Sequence, residues 1–286
     1  MGSRSTERHR SGGENIGARD RHPKAIDGRG YRDGRSWHSM PARYPKGTAG
    51  AVCNLYSMTK GQDAIRQLFR VTNDRTGNLP PLPGIFPDYM APVIRRGQDG
   101  ERELVMARWG MPTPPKFRSG PIDRGVTNIR NVSSAHWRAW MKPEFRCLVP
   151  ATSFCEPTDL PDPATGRKQW TWFALTEDRP LFAFAGIWRS WTGTRGTQKN
   201  PVRGEHTLYG FLTTEPNAVV QPVHSKAMPV ILTDPAEFDA WLESDVESAL
   251  ELQKPLSADR LRVVALDQRE GDGVAVAPQG QLALGG

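Results

Sequence analysis

The sequence changes character at residue 52. Residues 1–52 are rich in Arg, Gly, Ser and His and nearly lack aliphatic side chains. They hold 11 Lys+Arg against 5 Asp+Glu, a net charge of +6. Such a stretch cannot bury enough apolar surface to offset the entropy of ordering it, and it reads as a disordered basic extension. The rest of the chain carries 27 basic and 26 acidic residues, a net charge of +1. The overall charge of +7 is therefore mostly a property of the head. If the body binds nucleic acid, it must use a local patch and not its net charge. The extension itself has three readings: a solvated tail, a nucleic-acid-binding arm, or residues absent from the mature protein.

The 286 residues allow one large domain or two small ones. No run approaches the ~20 apolar residues of a membrane-spanning helix. No apolar stretch follows the N-terminal charges as it would in a secretory signal. Cys53, Cys147 and Cys155 are odd in number and lack metal-site spacing. That argues against a disulfide framework and for a reducing cytoplasm. No metal, cofactor or membrane partner is expected.

Beyond Val52 the chain reads as folded over residues 53–270, with a flexible tail over 271–286. "MTKGQDAIRQLFR" suits a short helix capped by Thr59, with Ile65, Leu68 and Phe69 on one face. "LPPLPGIFPDYMAP" reads as a Pro-rich loop, "RELVMARWGM" as a strand and "MPTPPKFRSGPIDRG" as a long loop of the kind that often carries function. "SSAHWRAWM" suits a helix. "RCLVPATSFCE", "KQWTWFAL", "PLFAFAGIW" and "HTLYGFLTT" read as strands, with "DLPDPATGRK" and "TGTRGTQKNPVRGE" as turns. "NAVVQPVHSKAMPVIL" mixes a short helix with a strand. "TDPAEFDAWL" starts a helix with Pro235 in its first turn, and "RLRVVAL" suits a last strand. Strands joined by turns, with few helices, predict an α+β domain on an antiparallel sheet or barrel with flanking short helices.

Four stretches pair a reactive group with a plausible partner. They are Cys53, Asn128 with Arg130 in "VTNIRNVSS", Glu156 in "RCLVPATSFCEPT", and His224 in "PVHSKAMPVIL". Each has a plainer reading: a buried small hydrophobe, a turn residue, a solvated strand end, a satisfied loop histidine. The order of the motifs lends them weight together, because the chain resembles the SOS response-associated peptidase (SRAP) family over about residues 53–243. "CNLYSMT" matches one form of the family's start. Trp109-Gly110 stands before the Pro-rich loop, "NIRNVSS" stands for the family's NARxE, "RCLVPATSFCEP" for RCLIPxxGFYEW, and "HSKAMPVIL" for HxRMP. Departures are Leu55, where an arginine often stands, Cys155 and Pro157 beside the glutamate, and Lys226 where arginine is usual.

The resemblance implies a protein that senses abasic sites in single-stranded DNA, alone or at single-strand/double-strand junctions, and crosslinks to them. It would act as a monomer, without cofactor, in the cytoplasm or at the nucleoid. The implied catalytic residues are Cys53, Asn128, Glu156 and His224. Arg130 and Lys226 would contact phosphates, and Trp109 with loop 110–120 would stack on or wedge against bases, although core packing explains Trp109 equally well. The implied crosslink is a thiazolidine, which requires an N-terminal cysteine: a free α-amine and a thiol on adjacent carbons. An internal cysteine has only an amide nitrogen. Two routes would expose Cys53. Val52 could be an alternative start codon read as Met and then trimmed, or a leader could be removed between Val52 and Cys53. The abrupt change in composition favours the first. A thiol peptidase or autopeptidase using Cys53, His224 and Glu156, and a non-covalent DNA-binding module, are the competing classes.

Overall fold

The computed structural model describes residues 53–268 and Gly271. The expected basic extension lies outside the described residues, as does all but the first residue of the expected tail. The elements run β1 (Leu55–Met58), α1 (Gln62–Leu68), β2 (Asn73–Asp74), β3 (Leu82–Ile85), β4 (Met90–Arg96), β5 (Arg102–Trp109), β6 (Asn128–Ile129), α2 (Ala135–Arg138) and β7 (Arg146–Ala151). They continue as β8 (Ser153–Pro157), β9 (Trp170–Ala174), β10 (Phe182–Gly196), β11 (Pro201–Thr214), β12 (Met228–Pro229), β13 (Ile231–Leu232), α3 (Pro235–Glu243), α4 (Val246–Leu250) and β14 (Arg262–Leu266). This is the expected α+β class. No helix among the described residues is long and apolar enough to cross a membrane.

Five strands close into a barrel. β11 pairs with β10, β10 with β7, β7 with β4, β4 with β5, and β5 returns to β11. Four of these pairings are antiparallel and the β5–β11 pairing is parallel. A closed ring needs an even number of direction reversals, so a ring of five strands must contain a parallel pair. Pro150 is tolerated in β7 because the pairing with β4 involves only Cys147 and Leu148, leaving no bond there for a missing N–H to break. A second, five-stranded sheet runs β14-β9-β8-β1-β3.

The chain crosses from barrel to sheet at Thr152, so "RCLVPATSFCE" is two strands and not one. The Thr152 N–H donates to the Ser57 carbonyl at 2.8 Å, and this contact ties the crossing to β1. The core is aromatic where barrel and sheet meet. Tyr56 packs edge-on against Trp109 at 5.1 Å and Phe184 at 5.6 Å, and its hydroxyl meets that of Tyr209 at 2.6 Å. α3 covers β7, with the Trp241 indole N–H donating to the Cys147 and Gly186 carbonyls at 3.0 and 3.1 Å.

Several local readings need correction. Helix α1 is capped by Gly61, while the Thr59 hydroxyl meets that of Thr152 at 3.2 Å. The Pro-rich stretch after Leu79 contains β3 and the first residues of β4. The expected turn "TGTRGTQKNPVRGE" is mostly strand: β10 and β11 stay in register to Gly196 opposite Pro201. This part of the hairpin is largely solvent-facing, so it lacks the apolar alternation that marks a half-buried strand. The helix of "SSAHWRAWM" is a single turn capped by Ser134. No helix forms within "NAVVQPVHSKAMPVIL". Asn217 instead accepts from the Val219 and Val220 N–H groups at 3.1 and 3.0 Å and turns the chain.

Candidate functional site

The register of the second sheet builds the site. β1 and β8 are antiparallel with Leu55 opposite Cys155, which carries the residues just before β1 to Glu156. The Cys53 nitrogen donates to both carboxylate oxygens of Glu156, at 2.8 and 3.0 Å. From the barrel side, β6 lies parallel to β11 with Asn128 opposite Phe211. The Asn128 side-chain amide donates to the Cys53 carbonyl at 3.2 Å. Cys53 is thus held at both ends of its own backbone. Its φ of 34° lies in the left-handed region that a residue with a Cβ seldom adopts.

Cys53 and Glu156 are both fully buried. Burial pushes the Glu156 carboxyl well above the ordinary carboxylate range. The Cys53 N–H opposes that shift, and the Asp159 charge adds to it. Among the described residues no Arg, Lys or His forms an ion pair with Glu156. Burial likewise pushes the Cys53 thiol well up, helped by the negative charge of Glu156. The thiol donates weakly to the Leu55 carbonyl at 3.8 Å. This is a protonated thiol beside a protonatable acid, and not the stabilised thiolate of an activated nucleophile.

His224 sits in the turn before β12. Its Nδ1 lies 3.0 Å from Asp159 Oδ1. Burial lowers its pKa, the Asp159 charge pulls it back up, and Lys226 and Lys168 lower it further. Asp159 in turn is held by Ser225, whose N–H and hydroxyl both donate to its Oδ2 at 2.8 and 2.6 Å. These bonds hold its carboxyl below the ordinary range.

Among the expected residues, Cys53 contacts both Glu156 and Asn128, and His224 contacts Asp159, three residues after Glu156. Arg130 and Lys226 lie on the surface. Arg130 is 3.3 Å from the exposed Glu215 carboxylate, and Gln253 donates to its carbonyl at 2.9 Å. Trp109 is a correction. It is fully buried, 5.2 Å from the Phe211 ring, and cannot stack on a base. Its indole N–H donates to the Thr127 carbonyl at 3.3 Å, so it positions the strand that carries Asn128. The exposed aromatic of the long loop is Phe117, 66% accessible, with the Lys116 ammonium 4.8 Å from its ring. Leu55 and Cys155 pack against Trp172 in an apolar cluster, so the Leu55 position makes no phosphate contact. Sequence reasoning missed Asp159, although "CEPTDL" places it three residues after Glu156. It also missed Gln253, which no local signal marks.

A family model described as SOS response associated peptidase (SRAP) matches residues 52–271. No curated protein matches the chain. Among solved structures, the fold is similar to a protein from Bordetella bronchiseptica, with a TM-score of 0.56 and 24% identity, covering 73% of this chain and 97% of that one. It is also similar to a protein from Bacteroides thetaiotaomicron, with a TM-score of 0.57 and 23% identity, covering 73% and 90%. These likenesses concern the fold. The family match spans most of the chain and includes every residue of the site: the chain belongs to the SOS response associated peptidase (SRAP) family.

Proposed function

We propose that the chain senses abasic sites in single-stranded DNA, including those at junctions with duplex, and captures them covalently through Cys53 once Cys53 is the first residue. The observation that carries this reading is the clasp of both Glu156 oxygens on the Cys53 nitrogen. A thiol peptidase would place its acid–base group on the sulfur and lower the thiol pKa. Here the acid holds the nitrogen and the thiol pKa is raised. A buried carboxylate needs a compensating cation, and the α-ammonium of an N-terminal Cys53 would supply it.

The chemistry follows from that placement. The α-amine, with a reference pKa near 7.7–8.0, hands its surplus proton to Glu156 and adds to the C1′ aldehyde of the ring-opened sugar. Water leaves as the imine forms. The thiol then adds to the imine carbon, its proton passes to nitrogen, and the thiazolidine ring closes. Glu156 stores and returns protons through these steps. His224 Nε2 takes the proton of the C1′ hydroxyl and passes it to the ring oxygen as the ring opens, and Asn128 fixes the backbone that carries both nucleophiles. Arg130 and Lys226 would meet phosphates, and Phe117 takes the base-stacking role once expected of Trp109.

A second reading concerns maturation. In a chain that still carries Val52, Glu156 lies on the nitrogen that must leave if the Cys53 thiol attacks the Val52 carbonyl. A protonated Glu156 would give its proton to that leaving nitrogen and regain one from the thiol, and water would then hydrolyse the Val52 thioester.

Incubation of protein starting at Cys53 with an abasic single-stranded oligonucleotide tests the main reading. A heat-stable shifted band that disappears in Cys53→Ala is expected. Peptide cleavage without DNA would point to a peptidase instead, and salt-sensitive non-covalent binding alone to a binding module.

A further inference from the structure

We propose that Asp159 is the positioning residue of the site, fixing the ring and the tautomer of His224 so that Nε2 is the atom offered to substrate. The inference rests on the acid–base role given to His224 above. Asp159 Oδ1 lies 3.0 Å from Nδ1 and draws the proton of the neutral ring to that nitrogen, which leaves Nε2 without one. Nε2 is buried and has no hydrogen-bond partner among the described residues. The His224 side chain is only 7% accessible, so the ring cannot turn freely to water.

Asp159 is itself built in. Its second oxygen takes two bonds from Ser225, and its own N–H donates to the Val223 carbonyl at 3.0 Å. The segment after β8 and the turn carrying His224 are therefore clamped together through one residue. The charged groups that act on His224 are Asp159, Lys226 and Lys168, and Asp159 alone is negative. Asp159 also acts on Glu156, three residues before it. One carboxylate thereby makes both acid–base groups of the site more basic.

The clamp makes one substitution diagnostic. In Asp159→Asn, the Ser225 backbone N–H still requires an acceptor, so the amide oxygen faces Ser225 and the NH2 turns to His224 Nδ1. The proton then moves to Nε2, with the geometry preserved. Ring ¹⁵N NMR on the Cys53-first protein is expected to show Nδ1–H in the unsubstituted protein and Nε2–H in Asp159→Asn. The crosslinking rate should fall on the order of 10²-fold or more. The low-pH limb of the rate profile should move down in pH as the negative charge is lost. Asp159→Glu, which restores the charge, should recover part of the rate.

An Nε2–H ring in the unsubstituted protein would overturn the proposal. So would a flipped tautomer in Asp159→Asn with an unchanged rate and pH profile. If the tautomer behaves as expected but the unsubstituted protein never crosslinks abasic DNA, the positioning by Asp159 stands and the crosslinking role fails.

Discussion

Glu103 and Glu156 are two buried glutamates in one domain, and they are treated in opposite ways. Glu103, on β5, lies 2.6 Å from the Arg95 guanidinium and 3.0 Å from that of Arg75. Asp123 follows the same rule, with Arg118 at 3.3 Å and Arg195 at 3.9 Å. Glu156 is buried more completely than either and, among the described residues, has only a backbone nitrogen. Where this fold buries a carboxylate for structure, it supplies a guanidinium. The exception faces Cys53, and a cation is created there only when the nitrogen of Cys53 is an amine. On the proposed function, the contrast separates charge that holds the fold from charge kept for chemistry.

Exchanging each glutamate for glutamine breaks the comparison most sharply. Glu156→Gln should cut crosslinking by about 10²–10⁴-fold, the usual loss for an acid–base group. Its effect on stability has a defined pH dependence. The folded pKa of Glu156 is raised, so its contribution to stability is full below the ordinary value of 4.5 and is lost as pH rises toward the folded value. Glutamine does not titrate. Where the Cys53 nitrogen is an amide, the variant should therefore gain stability over the parent as pH rises above 4.5. In protein starting at Cys53 the ammonium undoes that shift, and the gain should vanish. Glu103→Gln should do the reverse, leaving crosslinking intact and costing about 2 kcal/mol through its stranded arginines. Denaturant melts across pH, run beside crosslinking rates, check both.

Two aromatics sharpen the contrast at smaller magnitude. Trp109→Ala should cost about 3–5 kcal/mol of stability, since it empties the centre of the core. Phe117→Ala should leave stability within about 0.5 kcal/mol and weaken single-stranded DNA binding by about 1–3 kcal/mol. Calorimetry and a binding titration separate the two. The smallest effects belong to the surface cations. Arg130→Ala and Lys226→Ala should each reduce the salt dependence of binding by about one counterion and leave the melting curve nearly unchanged.

The buried strands were legible from short β-rich apolar runs bounded by turn residues, as in "RELVMARW" and "PLFAFAGIW". The barrel closure was not, since the β5–β11 pairing joins residues about a hundred positions apart and leaves no local mark. The outer half of the β10–β11 hairpin was hidden because a largely solvent-facing strand looks like a turn. At the candidate site, Cys53, Asn128, Glu156 and His224 were singled out through motif order. Asp159 acts through a histidine 65 residues away, and only the fold brings them together. Trp109 was ambiguous in sequence because a tryptophan beside a Pro-rich loop suits a base platform and a core equally. Burial decides it.

The mature N-terminus bears most directly on the central claim. Protein expressed from the native gene, measured by intact mass and N-terminal sequencing before and after exposure to abasic single-stranded DNA, should begin at Cys53. It should gain the mass of one oligonucleotide less one water, as condensation requires. A stable chain that retains Met1 and still forms the heat-stable crosslink would contradict the claim, because the Cys53 nitrogen would then be an amide with no amine to react.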